Sequence, residues 1–115
     1  MRSVSADRFA LLDRLMERYN AGDAAGYAAF FTDEGAEAVY RGEVLRAGKD
    51  GVRDGNAKTF ADFPENRAEV LGRNAFGDRV TVHEKVWRTP DGEPFEVMAI
   101  YSFAGDLIER VEFVK

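Results

Sequence analysis

The sequence contains no cysteine. Disulfides and thiol chemistry are therefore excluded, which fits a reducing compartment. It contains a single histidine, His83. One imidazole without cysteine offers no recognisable ligand spacing, so neither a metal nor any other cofactor is expected. No window approaches the ~20 apolar residues of a membrane span. The start, Met1-Arg2-Ser3-Val4-Ser5, lacks the apolar stretch of a signal peptide. A cytoplasmic protein with no membrane partner is the reading. Basic residues are in deficit: 16 Lys and Arg against 21 Asp and Glu give a net charge of -5, with the charges interspersed. Without a basic stripe, no nucleic-acid partner is expected. Repeats, linkers and low-complexity runs are missing too. Residues 1–115 therefore read as one domain, with 45% apolar and 32% charged residues, as in an ordinary globule.

Phe9, Leu12, Leu15, Met16 and Tyr19 recur at helical spacing. Ser5 or Asp7 can cap this first helix, which runs to about Asn20 and is stopped by Gly22. Asp23 caps a short second helix carrying Tyr27, Phe30 and Phe31 on its apolar side. Ala36 to Arg41 reads as a strand, Gly42-Glu43 as a turn, and Val44-Leu45 as a brief return strand. Gly48 to Phe63 reads as a third helix anchored by Val52, Phe60 and Phe63 and ended by Pro64. Gly51 and Gly55 inside it each cost roughly 1 kcal/mol relative to alanine. They imply either close approach of the helix to the sheet or a mobile lid. Asn66 to Phe76 and Arg79 to Arg88 follow as strands, and two more reach Val114. Helices first and strands after means an α+β domain, with the helices on one face of an antiparallel sheet.

The turns set which residues stand together. Thr89-Pro90-Asp91-Gly92-Glu93 has the chemistry of a three-residue loop with a glycine bulge. That loop pairs Trp87 with Phe95, Lys85 with Val97, His83 with Ala99 and Thr81 with Tyr101. Gly105-Asp106, as a two-residue turn, pairs Tyr101 with Arg110 and Ala99 with Glu112. Gly77-Asp78, likewise, sets Asn74 against Thr81 and Gly72 against His83. One row across the sheet is then Gly72, His83, Ala99, Glu112, and the next is Asn74, Thr81, Tyr101, Arg110. Small neighbours beside His83 leave space for a pocket. The opposite face, with Leu71, Val82, Val86, Met98, Ile100, Val111 and Phe113, is apolar enough to need cover, most simply from a second copy in a two-fold dimer.

Several loose motifs run through nearly the whole chain. They are Tyr19-Asn20-Ala21-Gly22-Asp23 with Tyr27 and Phe30-Phe31, Gly48 with Val52-Arg53, and Phe63-Pro64. Gly77-Asp78-Arg79-Val80, Gly92, Phe95-Glu96-Val97, Asp106-Leu107-Ile108 and Val111-Glu112-Phe113 complete them. This order resembles the SnoaL-like branch of the nuclear-transport-factor-2-like, or ketosteroid isomerase-like, superfamily. The resemblance implies a cone-shaped α+β barrel, with three N-terminal helices packed in a curved, mostly antiparallel sheet. It also implies a deep apolar cavity and frequent dimers. Members include ketosteroid isomerases, polyketide cyclases, limonene-type epoxide hydrolases and dehydratases. Carried over by position, the isomerase tyrosine, base and acid fall on Leu15, near Val39 and on Tyr101, which argues against a standard ketosteroid isomerase. The epoxide hydrolase arginine and two aspartates fall on Lys85, Trp87 and Glu112, so the middle carboxylate is lost.

On this reading His83 serves as general acid or base, Tyr101 as donor to a developing oxyanion, and Glu112 with Arg110 as orienting charges. Tyr19, Tyr27, Phe31, Asn74, Lys85, Trp87, Ala99 and Arg110 would surround a small apolar ligand. Three functions remain open: proton-transfer chemistry by an isomerase, cyclase or lyase; ligand binding without turnover; and a dimerisation domain whose cone its own side chains plug.

Overall fold

The computed structural model describes residues 4–115. Helix α1 (Val4–Asn20) buries Leu11, Leu12 and Leu15. Ser5 and Asp7 lie within it, Asp7 as the acid of its first turn. Gly22, at φ +68°, turns the chain out of α1. The Asp23 carboxylate then accepts from the Gly26 amide at 2.8 Å and starts α2 (Ala24–Ala28). Phe31 is not part of that helix. It opens β1 (Phe31–Val39), paired with Ile108, so this strand starts earlier than Ala36. A turn leads to β2 (Val44–Ala47) and α3 (Gly48–Asp62). Strands β3 (Arg67–Phe76), β4 (Arg79–Trp87), β5 (Phe95–Ala104) and β6 (Leu107–Val114) complete the chain.

The six strands form one sheet in the order β2-β1-β6-β5-β4-β3. Only the β1–β6 join is parallel. It ties the N-terminal hairpin to the C-terminal meander, and the curved sheet folds round the helices. Among the described residues, no helix is long and apolar enough to cross a membrane.

Gly51 and Gly55 serve close packing. A Cβ on Gly55 would stand 2.3 Å from Arg46 Cδ, and one on Gly51 would touch the Arg46 backbone at 3.6 Å. The missing side chain at Gly55 is the space through which Arg46 crosses α3.

The registers differ from those expected in two places. Gly77-Asp78 behaves as expected, with Asn74 opposite Thr81 and Gly72 opposite His83. The β4–β5 connection does not. Thr89–Gly92 is a β-turn, its Gly92 amide donating to the Thr89 carbonyl at 3.2 Å. Gly92, however, has no positive φ, so no glycine bulge forms. The ladder begins only at Val86 opposite Phe95. Pro94, which has no N–H to donate, stands just before it and keeps the loop open. His83 therefore faces Met98, Thr81 faces Ile100, and Val80 faces Tyr101. At the other turn Ala104 pairs with Leu107 as expected. A bulge then takes up Glu109, so Tyr101 faces Val111 and Ile100 faces Glu112. Ile108 and Val111 are both fully buried. Three residues apart, they can share one face of a pleated strand only if an extra residue is inserted between them.

Each slip of one residue exchanges the faces. Val80, Val82, Val86 and Val111 do not turn outward. They join Leu11, Leu15, Phe31 and Val52 in the core under the helices. The outer face carries His83, Thr81, Lys85, Glu96, Met98, Ile100, Arg110 and Glu112, all partly exposed except Glu96, which is exposed.

Candidate functional site

The site is built on one row of the sheet. Arg46 on β2 is the direct cross-strand partner of Glu37 on β1. Glu37 is opposite Val111, Val111 opposite Tyr101, and Tyr101 opposite Val80. Two pleats along β4 from Val80, on the same face, stands Glu84. A carboxylate thus occupies a position in the Val80, Val82, Val86 stripe where alternation calls for another apolar residue.

Glu37 is 1% exposed, so burial alone would oppose its charge. Three donors answer it. Arg46 Nη1 donates to its Oε1 at 2.8 Å, Asn56 Nδ2 to the same oxygen at 3.0 Å, and the Tyr27 hydroxyl to Oε2 at 2.8 Å. Asn56 is held in turn by a bond to the Val52 carbonyl at 2.8 Å, and Arg46 Nη2 reaches Thr59 Oγ1 at 3.5 Å. One face of α3 and the end of α2 therefore converge on this carboxylate.

Glu84 is 7% exposed and, among the described residues, makes no side-chain hydrogen bond or ion pair. Burial, and then the nearby Glu37 charge, push its carboxyl up to about 7. The Tyr101 hydroxyl likewise has no hydrogen-bond partner among the described residues. Burial first, then Glu84, Glu37 and Tyr19, hold it well above the usual tyrosine value, so it stays protonated and able to donate. Tyr27 is also raised, by burial and then by Glu37.

These groups share a cavity of about 120 Å³. Glu37, Tyr27, Asn56, Glu84 and Tyr101 are its polar lining; Met16, Val86, Val97, Phe95 and Phe113 are apolar walls, and Leu45, Arg88 and Lys115 also border it. An engineered apolar cavity of ~150 Å³ holds benzene, so the enclosed part suits a five- or six-atom body.

Of the residues expected from sequence, Tyr101, Tyr19 and Tyr27 line this cavity. Phe31 packs against the Tyr27 ring, with centroids 5.5 Å apart, and is core. Ala99 is also core. His83, Glu112, Arg110, Asn74, Lys85 and Trp87 lie elsewhere. His83 Nε2 is 2.5 Å from Glu96 Oε1. Arg110 donates to Glu112 at 3.3 Å, and the Trp87 ring lies under Arg67 and Lys85. Asn74 is exposed, its carbonyl opposite Thr81. The β4–β5 and β5–β6 registers that Pro94 and the Glu109 bulge overturn are what the inward reading of these residues depends on; the Asn74–Thr81 pairing itself holds, on the outer face. Sequence reasoning missed Glu37, Arg46, Asn56 and Glu84. Two of them left a trace: an acid inside the valine stripe, and an acid flanked by Ala36 and Ala38.

His83→Ala is accordingly expected to change stability by less than about 0.5 kcal/mol, as for a surface position, in urea unfolding. A loss of several kcal/mol would place the imidazole in the core.

Among curated proteins, none matches this chain. Solved structures do. A cystatin-fold protein of Novosphingobium aromaticivorans is 42% identical, with 92% of this chain and 96% of that one covered and a TM-score of 0.86. A protein of Sphaerobacter thermophilus is 25% identical over 92% and 93% of the two chains, with a TM-score of 0.73. A Catenulispora acidiphila protein with a ketosteroid isomerase-like fold, in complex with trimethylamine, is 15% identical over 91% and 84%, with a TM-score of 0.77. The model of the SnoaL-like domain matches residues 12–111. With the helices inside the curved sheet and the match running through every element of it, the chain belongs to the SnoaL-like domain family.

Proposed function

We propose that this protein is a proton-transfer enzyme, an isomerase, cyclase or lyase, acting on a small and mostly apolar carbonyl compound. The observation that carries this is Glu84: a buried carboxyl without a partner, facing a cavity, ionising near neutral pH. A general base works best when its pKa lies near the working pH. Its carboxylate would take a proton from a carbon next to the substrate carbonyl. The electron pair moves onto the carbonyl oxygen, and the Tyr101 O–H donates to that oxyanion. Glu84, now protonated, returns the proton to the substrate at the same or another carbon. Glu37, fixed by Arg46, Asn56 and Tyr27, supplies the negative charge that keeps Glu84 basic.

The test is exchange of the α-hydrogens of cyclopentanone for solvent deuterium, followed by NMR. The rate is expected to rise as pH increases through about 7 and to level off above it. A rate equal to buffer at every pH would leave ligand binding without turnover as the better reading. A cytoplasmic setting goes with this reading, as does a second copy on the outer face, where Met98 and Ile100 stand half-exposed between charged residues. Light scattering at micromolar concentration should then give twice the 12.8 kDa of one chain; a monomer counts against the dimer.

A further inference from the structure

Two cations at the cavity have no part in the chemistry above. Of the charged residues bordering the cavity, Arg46 and Glu37 neutralise each other, and Glu84 is the remaining acid. Arg88 and Lys115 are left, and neither has a carboxylate partner among the described residues.

Arg88 is also held in place. Its Nη1 donates to Asn66 Oδ1 at 2.8 Å and to the Tyr19 hydroxyl at 3.4 Å. Its guanidinium carbon lies 5.1 Å from the centre of the Phe95 ring. The Lys115 ammonium lies 5.7 Å from the same ring. Phe95 borders the cavity, so both cations lie near the same aromatic ring of its wall. A guanidinium held by neutral groups keeps its full charge and its remaining N–H donors for something else, and a planar carboxylate is the group its fork matches.

We propose that the ligand is a small carboxylate, its anionic end held by Arg88 and Lys115 and its five- or six-atom body lying against Phe95, Phe113 and Val97, with the reacting carbon toward Glu84. This deepens the proton-transfer reading and rests on it only for the last clause. Anchoring by a remote charge would also orient the body, so that only one face of the substrate meets Glu84 and Tyr101.

The test is calorimetry with three probes of one shape: cyclopentanecarboxylate, cyclopentanecarboxamide and cyclopentyltrimethylammonium. The carboxylate should bind at least tenfold tighter than the amide, and the cation should not bind. Arg88→Gln should weaken the carboxylate by roughly tenfold or more, as expected when a charge-assisted bond is lost, and leave the amide unchanged. Arg88→Lys should restore part of the affinity. Lys115→Gln, at an exposed position, should weaken the carboxylate several-fold without affecting folding. Equal binding of carboxylate and amide, preference for the ammonium probe, or no carboxylate binding at 10 mM (on the order of the weakest affinity a single ion pair would give) overturns the proposal. The two readings fail separately. Carboxylate binding through Arg88 with no deuterium exchange removes the proton-transfer step alone. Cyclopentanone exchange with no preference for the carboxylate over the amide removes the anion site alone.

Discussion

Replacing Glu84 by glutamine is expected to stabilise the protein at pH 8 and to abolish its proton transfer. The carboxyl ionises at about 7 in the fold, against an ordinary value of 4.5. A folded-state value above the unfolded one means that the folded chain holds this proton more tightly. The resulting stability is complete below 4.5 and is lost as pH rises through 7. At about 1.4 kcal/mol for each pH unit of separation, the carboxyl costs the wild type about 2–3 kcal/mol on going from pH 5 to pH 8. Glutamine has no charge to bury, so it escapes that loss.

The groups around Glu84 support this assignment. Glu37 on β1 disfavours its charge, while Arg46 is committed to Glu37. Tyr27 and Tyr101, both raised by burial, stay protonated throughout this range, and Arg88 and Lys115 border the cavity without an ion pair to Glu84. Urea unfolding at pH 5 and pH 8 should show Glu84→Gln gaining on the wild type only at the higher pH. Cyclopentanone exchange should fall by roughly 100-fold or more, the usual share of a general base. A gain in stability paired with a loss of activity marks a residue kept for function. Equal stability differences at the two pH values would show that Glu84 is neutral, or solvated, in both.

Arg46→Met is expected to cost about 2–4 kcal/mol. Removing one partner of a buried pair typically costs ~3–5 kcal/mol, because the charge left behind has no answer. The lower range applies because the Arg46 side chain is 28% exposed, whereas that of Glu37 is 2% exposed. Asn56 and Tyr27 still donate to Glu37 and limit the damage. Combining Arg46→Met with Glu37→Leu should recover much of the loss, since no buried charge then remains. A double-mutant cycle by urea unfolding should give a coupling of about 1–3 kcal/mol. The catalytic consequence has a sign as well. Without Arg46, the Glu37 charge acts on Glu84 unopposed, so the pH midpoint of exchange should move above its wild-type position. A loss under about 0.5 kcal/mol with an unmoved midpoint would show that Arg46 neutralises nothing.

Much of the fold was legible in the residues. Periodicity located α1 through Leu12 and Leu15, and Gly22, Asp23 and Pro64 set helix boundaries to within a residue or two. Gly77-Asp78 placed β3 against β4 correctly. These are local signals, set by φ preferences and by side chains bonding to nearby backbone. The glycines of α3 were legible as to cause, but not that Arg46 would be the group passing over Gly55.

The site was much less legible. Tyr19, Tyr27 and Tyr101, expected around a ligand, border the cavity between helices and sheet. His83 drew attention by its chemistry, and a tight hairpin drawn through Pro90-Asp91-Gly92 turned it inward. Two signals opposed that reading. Val80, Val82 and Val86 form an unbroken buried stripe that belongs under helices. Pro94 cannot donate in a ladder that starts at the turn. The family resemblance identified the fold, and of the groups proposed to react it pointed to Tyr101 and not to Glu84.

The sequence by itself determined the elements and their order and, through its resemblance, the family and its curved α+β sheet. The tertiary structure decided which face of each strand looks in toward the helices. The reason is the period of two along a strand: one residue taken up by a bulge at Glu109, or by an open loop before Phe95, reverses every side chain beyond it. Glu37 and Arg46 come from the directly paired β1 and β2, and Glu84 from β4, which is connected to them only through the β1–β6 join. No local rule could have brought them to one cavity; the pairing of distant strands did.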